Sequence, residues 1–101
     1  MPREQETTTA DGQAIDQTGT VLSAETYGDV LVSLNIEATA STDFAVDVSA
    51  DGDTWFENEE TYTGSSIADT FRVGDRYLRV RVTTAASNGE TADITLQEAR
   101  S

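Results

Sequence analysis

The sequence predicts an all-β fold: a single antiparallel β-sandwich, jelly-roll or Ig-like, of seven to eight strands with an extended N-terminal arm. Three observations predict it. Apolar residues recur at every second position in several short stretches, the period of a strand with one buried face. Turn signals rich in Gly, Asp, Asn and Ser separate these stretches roughly every ten residues. No useful length shows helical periodicity, and the single Pro stands at position 2, so no strand is interrupted.

The elements follow in chain order. Residues 1–17 (MPREQETTTADGQAIDQ) hold Met1, Ile15 and little else that is apolar, which predicts a polar arm without its own core. Two readings stay open for it: a loose terminus, or an arm that orders on a neighbouring subunit. The sandwich domain then covers residues 18–101. In Gly28–Ala38, Val30, Val32, Leu34 and Ile36 alternate with Ser33, Asn35 and Glu37, the clearest strand in the chain. Leu31 places an apolar residue on the outer face. Phe44, Val46 and Val48 mark a second strand, closed by the turn Ala50-Asp51-Gly52-Asp53. Strand character resumes at Thr54–Phe56 and Glu60–Thr63, with Trp55 and Tyr62 expected inward. Gly64–Asp69 reads as a loop, followed by a short strand at Phe71 and Val73. In Tyr77–Thr83, Leu78, Val80 and Val82 face one way and Tyr77, Arg79 and Arg81 the other. Ser87-Asn88-Gly89-Glu90 is a hairpin turn, and Ile94 and Leu96 point inward from the last strand.

Composition narrows the function. The chain has 101 residues and carries 19 Asp and Glu against 6 basic residues, for a formal net charge of −13. That length suits one compact domain. All six basic residues are Arg, and Lys, Cys and His are absent. Without Cys or His there is no disulfide framework, no structural zinc site and no His-based general base, so Ser-His-Asp and Cys-His hydrolases are excluded. The acidity argues against nucleic-acid binding, which needs a basic footprint. No apolar run approaches the ~20 residues that span a bilayer, and no signal-peptide core is visible. The acids interleave with Val, Leu, Phe and Ile, the pattern of a folded domain with an acidic surface. At molar salt the Debye length falls to ~3 Å and self-repulsion is largely screened. An acidic, Lys-free, Thr-rich chain resembles proteins of extreme halophiles.

Three groups of residues are candidate sites. Asp51 and Asp53 flank Gly52 and could hold Ca²⁺, with Asp29, Asp47 or Asp75 adding oxygens; the plain reading is a tight Asp-Gly turn. Trp55, Tyr62 and Tyr77 could stack on sugar rings; the plain reading is that Trp55 belongs to the core. Arg72, Arg76, Arg79 and Arg81 fall within ten residues. They either pair with cross-strand acids or form a basic stripe that docks on an acidic neighbour, such as another copy of this chain. Carboxylate pairs are available for glycosidase-like chemistry, but a two-sheet domain of this size leaves little room for a cleft, so a non-enzyme is expected. No cofactor is expected beyond that cation.

Two motifs carry a resemblance. Ser49-Ala50-Asp51-Gly52-Asp53-Thr54-Trp55 is an S-x-D-G-x-T-W hairpin, and Arg76-Tyr77-Leu78-Arg79-Val80-Arg81-Val82 is an R-Y-x-R-V-x-V strand. Together, within residues 42–98, they resemble discoidin-like jelly rolls and small β-sandwich proteins of tailed-virus particles. With the composition, the chain is most similar to a structural protein of a haloarchaeal tailed virus. That resemblance implies a capsid decoration, tower or tail-type protein on the outer surface of a virion in a high-salt environment. It implies a homo-oligomer, a trimer for preference, bound to the major capsid protein or other virion proteins, with no nucleic-acid or membrane partner. Leu31, Arg72, Arg76, Arg79 and Arg81 are then the expected contact residues. A carbohydrate-binding module using Trp55, Tyr62 and Tyr77 is the alternative.

Overall fold

A computed structural model of the chain describes residues 7–26 and 28–99; residues 1–6, 27, 100 and 101 lie outside the described set. Six strands follow one another: β1 (Thr7–Ala14), β2 (Gly19–Glu25), β3 (Val30–Ser49), β4 (Phe56–Val73), β5 (Tyr77–Thr84) and β6 (Thr91–Ala99). All pairings are antiparallel, in the order β1-β6-β3-β5-β2, with β4 on the other side of β3. The sheet folds on itself and nearly closes into a barrel, with β1 and β2 alongside each other at the seam.

The expected seven to eight strands are six because the central hairpin is long and bent. β3 has 20 residues and β4 has 18. Residues 30–38 of β3 pair with β6 and with residues 66–73 of β4, while residues 42–49 pair with β5 and with residues 56–64 of β4. The same two strands thus serve both layers. The register slips between Glu37 and Thr42, where the hairpin bends. On β4 the bend falls at Gly64, whose φ of 149° is one that side-chain-bearing residues rarely adopt. Breaks expected near residues 39–43 and 64–69 are therefore bends within continuous strands. The bend is pinned by the buried Thr42, whose hydroxyl donates to the Thr84 carbonyl.

The core follows the period-2 pattern. Val30, Val32, Leu34 and Ile36 in the first half of β3, and Phe44, Val46 and Val48 in the second, are all buried. Leu78, Val80 and Val82 of β5 and Ala92, Ile94 and Leu96 of β6 meet them. Each of the larger side chains contributes about 1.5–3 kcal/mol by leaving water.

The N-terminal segment departs from the arm reading. Thr7–Ala14 forms β1 and pairs with β6 from Thr7↔Gln97 to Ala14↔Thr91. Ile15 is 0% exposed, and its amide donates to the Glu90 carbonyl at 3.1 Å while its carbonyl accepts from Ala86 at 2.9 Å. Residues 7–15 are thus part of the fold. The reason is local: Thr suits a pleated, half-buried strand, and one well-placed Ile suffices to anchor its end. Of the rest of the expected arm, Asp16 accepts from the Gly89 amide in the connection to β2, and residues 1–6 lie outside the described residues.

Most carboxylates occupy outer faces and turns, so unscreened repulsion opposes the compact state. The melting temperature is expected to rise between dilute buffer and molar KCl. A melting temperature that does not move across that range contradicts this reading.

Candidate functional site

The outer face of the β2–β5–β3–β4 layer gathers much of the chemistry. Ala45, Asp47 and Ser49 of β3 point away from the core yet are fully buried, because something covers them. The cover comes from β5. Register places Arg81 opposite Ala45, Arg79 opposite Asp47 and Tyr77 opposite Ser49. Asp47 Oδ2 accepts from Arg79 Nε and from Arg81 Nε, both at 2.8 Å. Its Oδ1 accepts from Arg81 Nη2 at 3.2 Å and from the Asn58 amide at 3.0 Å. Asn58 reaches that position through a bulge: the β3–β4 register slips between Val46 and Val48, and Asn58 adopts φ 62°. Its side-chain oxygen accepts from Arg81 Nη2 at 3.0 Å, and Glu57 accepts from Arg79 at 3.4 Å. Trp55 closes the cluster, with the Arg79 guanidinium 4.3 Å from its ring centre.

The electrostatics follow from this geometry. Burial pushes the Asp47 pKa up, but the hydrogen bonds from Arg81, Arg79 and the Asn58 amide outweigh it and hold the carboxyl at about 2. A side chain that is 0% exposed and charged survives because both oxygens are satisfied. This is a satisfied structural cluster with its cations already engaged.

The four expected contact arginines do not share one surface. Arg72 lies on β4 in the other layer, opposite Leu31, and pairs with Asp29 at 2.9 Å. Arg76 sits in the β4–β5 turn, and its Nε donates to Glu25 at 2.7 Å. Arg79 and Arg81 share Asp47. Cross-strand pairing with acids therefore accounts for all four, and the continuous docking stripe is not formed. The sequence placed Arg79 and Arg81 on the correct face but missed Asp47. The missing signal was register: Asp47 alternates outward in its strand, and only pairing that strand with β5 brings it under the two arginines.

The three aromatic candidates also separate. Trp55 stacks on Arg79, and Tyr77 stands on the same outer face of β5 as Arg79 with its ring over Gly52. Trp55 is half-buried on Arg79 rather than inside the core. Tyr62 pairs with Phe44 and packs against the core. Its hydroxyl donates to Asp69 Oδ2 at 2.7 Å, clasping one bend arm of β4 to the other. Burial, together with Asp69, pushes the Tyr62 pKa up.

Asp51 is the internal cap of its turn. Its Oδ1 accepts from the amides of Asp53 at 2.8 Å and Thr54 at 2.9 Å and from the Ser49 hydroxyl at 3.0 Å. The Thr54 and Asp53 amides hold its pKa below the usual value. Gly52, at φ 82°, completes the turn under Tyr77. The plain-turn reading accounts for Asp51. Among the described residues, no group of three or more His, Cys, Asp or Glu is placed to ligate a metal. Asp51→Ala should lower the melting temperature by about 5 °C, as loss of a capping acceptor does. The same shift is expected with and without added Ca²⁺; a shift that appears only when Ca²⁺ is present overturns the turn reading.

No family model and no curated protein matches the sequence. Solved structures do match in fold. The chain is similar to the SPBc2 prophage-derived protein YomS, with a TM-score of 0.62 at 8% identity, covering 95% of this chain and 94% of that one. It is similar to a chain of the acidic stable capsid of Helicobacter pylori bacteriophage KHP30, with a TM-score of 0.61 at 12% identity, covering 93% of this chain and 86% of that one. A chain from Bacillus endospore appendages, a family of disulfide-linked pili, gives 0.56 at 17% identity, covering 97% of this chain and 88% of that one. At such identities the likeness is one of fold.

Proposed function

We propose that this chain is a structural protein of a virus particle, and specifically a capsid decoration protein that binds the major capsid shell from outside as a symmetric oligomer. The observation that carries the reading is the two-way coverage of a prophage-derived protein and a phage capsid chain: nearly the whole of each is the same all-β module. The module spends its residues on the sheet, and its charged cluster at Asp47 is structural. The net charge of −13 supports a particle that works in high salt, where a symmetric assembly such as a trimer forms without large repulsion. The test is removal and return. Particles stripped of the protein should lose shell stability to heat, and adding the purified chain in molar KCl should restore it. Stripped particles that are as stable as intact ones contradict a decorating role.

One observation favours a second reading: Trp55 stacks on Arg79, and Tyr77 stands on the same outer face of β5 as Arg79, so aromatic rings are available to sugars there. Glycans that quench Trp55 fluorescence in a saturable way support it, and unchanged emission counts against it.

A further inference from the structure

The barrel seam decides which strand edge is open. β1 and β2 are short, eight and seven residues, and come near each other without pairing. β4 pairs only with β3, leaving one side of an 18-residue strand without a ladder among the described residues. Soluble domains guard such edges with charges, bulges or Pro. The first half of β4 has these guards: Glu57, Glu59, Glu60 and the bulge at Asn58. The second half, residues 64–73, is guarded less: it has no Pro, its one irregularity is the bend at Gly64, and its charges cancel. It carries one Asp and one Arg, net zero, in a chain whose total is −13. Asp69 is held by Tyr62 and Arg72 by Asp29. Ile67 and Phe71 turn toward the core from this edge but stay half-exposed.

We infer that residues 64–73 of β4 are a self-pairing edge, which joins two copies of this chain antiparallel across a two-fold axis. The occupant is a second copy because, among the described residues, this is the long unpaired edge and its charges cancel, so the same segment of another copy meets it in an isologous contact without net repulsion. The neutral segment lets two strongly acidic chains meet where their repulsion is least, and the acidic first half keeps the register from sliding toward residue 56. Pairing also covers Ile67 and Phe71. Directly opposed residues must face the same side, so the axis passes through a residue; Asp69 at the axis would oppose Asp69, which leaves Ala68 or Thr70. The inference deepens the proposed role by naming a surface through which copies associate. It yields pairs, so a trimer needs some other surface.

The test uses the full chain in molar KCl. Sedimentation or light scattering should show a dimer for the wild type. Ala68→Lys, on the exposed outer side of the edge, should give a folded monomer whose melting temperature no longer rises with protein concentration, even though it lowers the net charge. Ser23→Lys, on β2, carries the same charge change away from the edge and should remain dimeric. The absence of native Cys makes a second readout clean. Under mild oxidation either Ala68→Cys or Thr70→Cys should form a disulfide-linked dimer, because directly opposed residues lie about 4.5–5.5 Å apart. A monomeric wild type, an Ala68→Lys dimer, or the absence of crosslinking at both positions overturns the inference. Presence on particles is read separately, so a failure here leaves the decorating role to its own test.

Discussion

Asp47→Ala is expected to destabilise the protein by about 3 kcal/mol, the cost of breaking a buried charge pair and stranding its partners. For a domain of this length that corresponds to a fall of about 15 °C in melting temperature. The reason is asymmetric. Arg79 and Arg81 have side chains only 20% and 21% exposed, so neither is rescued fully by water when Asp47 goes. The Asn58 amide loses its acceptor as well. Asp47→Asn keeps one acceptor and the volume but removes the charge, so it should fall between wild type and Asp47→Ala. A triple variant that also replaces Arg79 and Arg81 with Met should recover much of the loss, because no charge is then left unpaired. If the triple variant is no better than Asp47→Ala, the loss comes from packing rather than from stranded charge.

The same cluster sets a pH dependence. The Asp47 pKa is lowered from 3.8 to about 2 in the folded chain. A depressed folded pKa contributes stability above the unfolded value, and that stability is lost as pH falls through the folded value. The contribution, roughly 2 kcal/mol, is therefore complete above about pH 4 and gone below about pH 2. The gap between wild type and Asp47→Asn should close across that window. A gap that stays constant from pH 5 to pH 2 means that Asp47 is not the titrating group.

Ile15→Ala is the second large effect, at about 3 kcal/mol, within the usual range for deleting a fully buried aliphatic side chain. Ile15 is 0% exposed and sits where β1 hands over to β2, its backbone tied to Glu90 and Ala86. Shrinking it opens a cavity at the seam that holds the first strand against the rest. Chemical denaturation should show a lower midpoint with an unchanged slope, because the whole domain still unfolds as one unit. If Ile15→Ala leaves the midpoint unmoved, residues 7–15 behave as a loose arm, and their place in the sheet is wrong.

Much of the fold was legible from periodicity. Val30 to Ile36, Phe44 to Val48, Leu78 to Val82 and Ile94 with Leu96 all face the core as their alternation requires. Two things were not legible, for different physical reasons. A bend and a break look alike in sequence, because both interrupt apolar alternation with small and polar residues; residues 38–42 and 64–66 bend without breaking. β1 was hidden because its inward positions are Thr8 and Ala10, which carry little apolar signal, and its stability comes from pairing with β6. The candidate site was half legible. Alternation put Arg79 and Arg81 on one outer face, but their partner Asp47 lies 32 and 34 residues away and is found only through strand register. The turn at Asp51 and Gly52 was readable from local chemistry alone, because Gly52 supplies the positive φ and Asp51 the acceptor for the amides that follow.

The proposed place of the chain is in a virus particle. It is tested most directly by quantitative mass spectrometry of gradient-purified particles from the chain's own source, with the major capsid protein as the internal reference. Peptides of this chain are expected at a fixed ratio to the capsid protein, unchanged across independent preparations and retained through a molar KCl wash. Peptides that are absent, or whose ratio falls away with each purification step while the capsid protein persists, would contradict it.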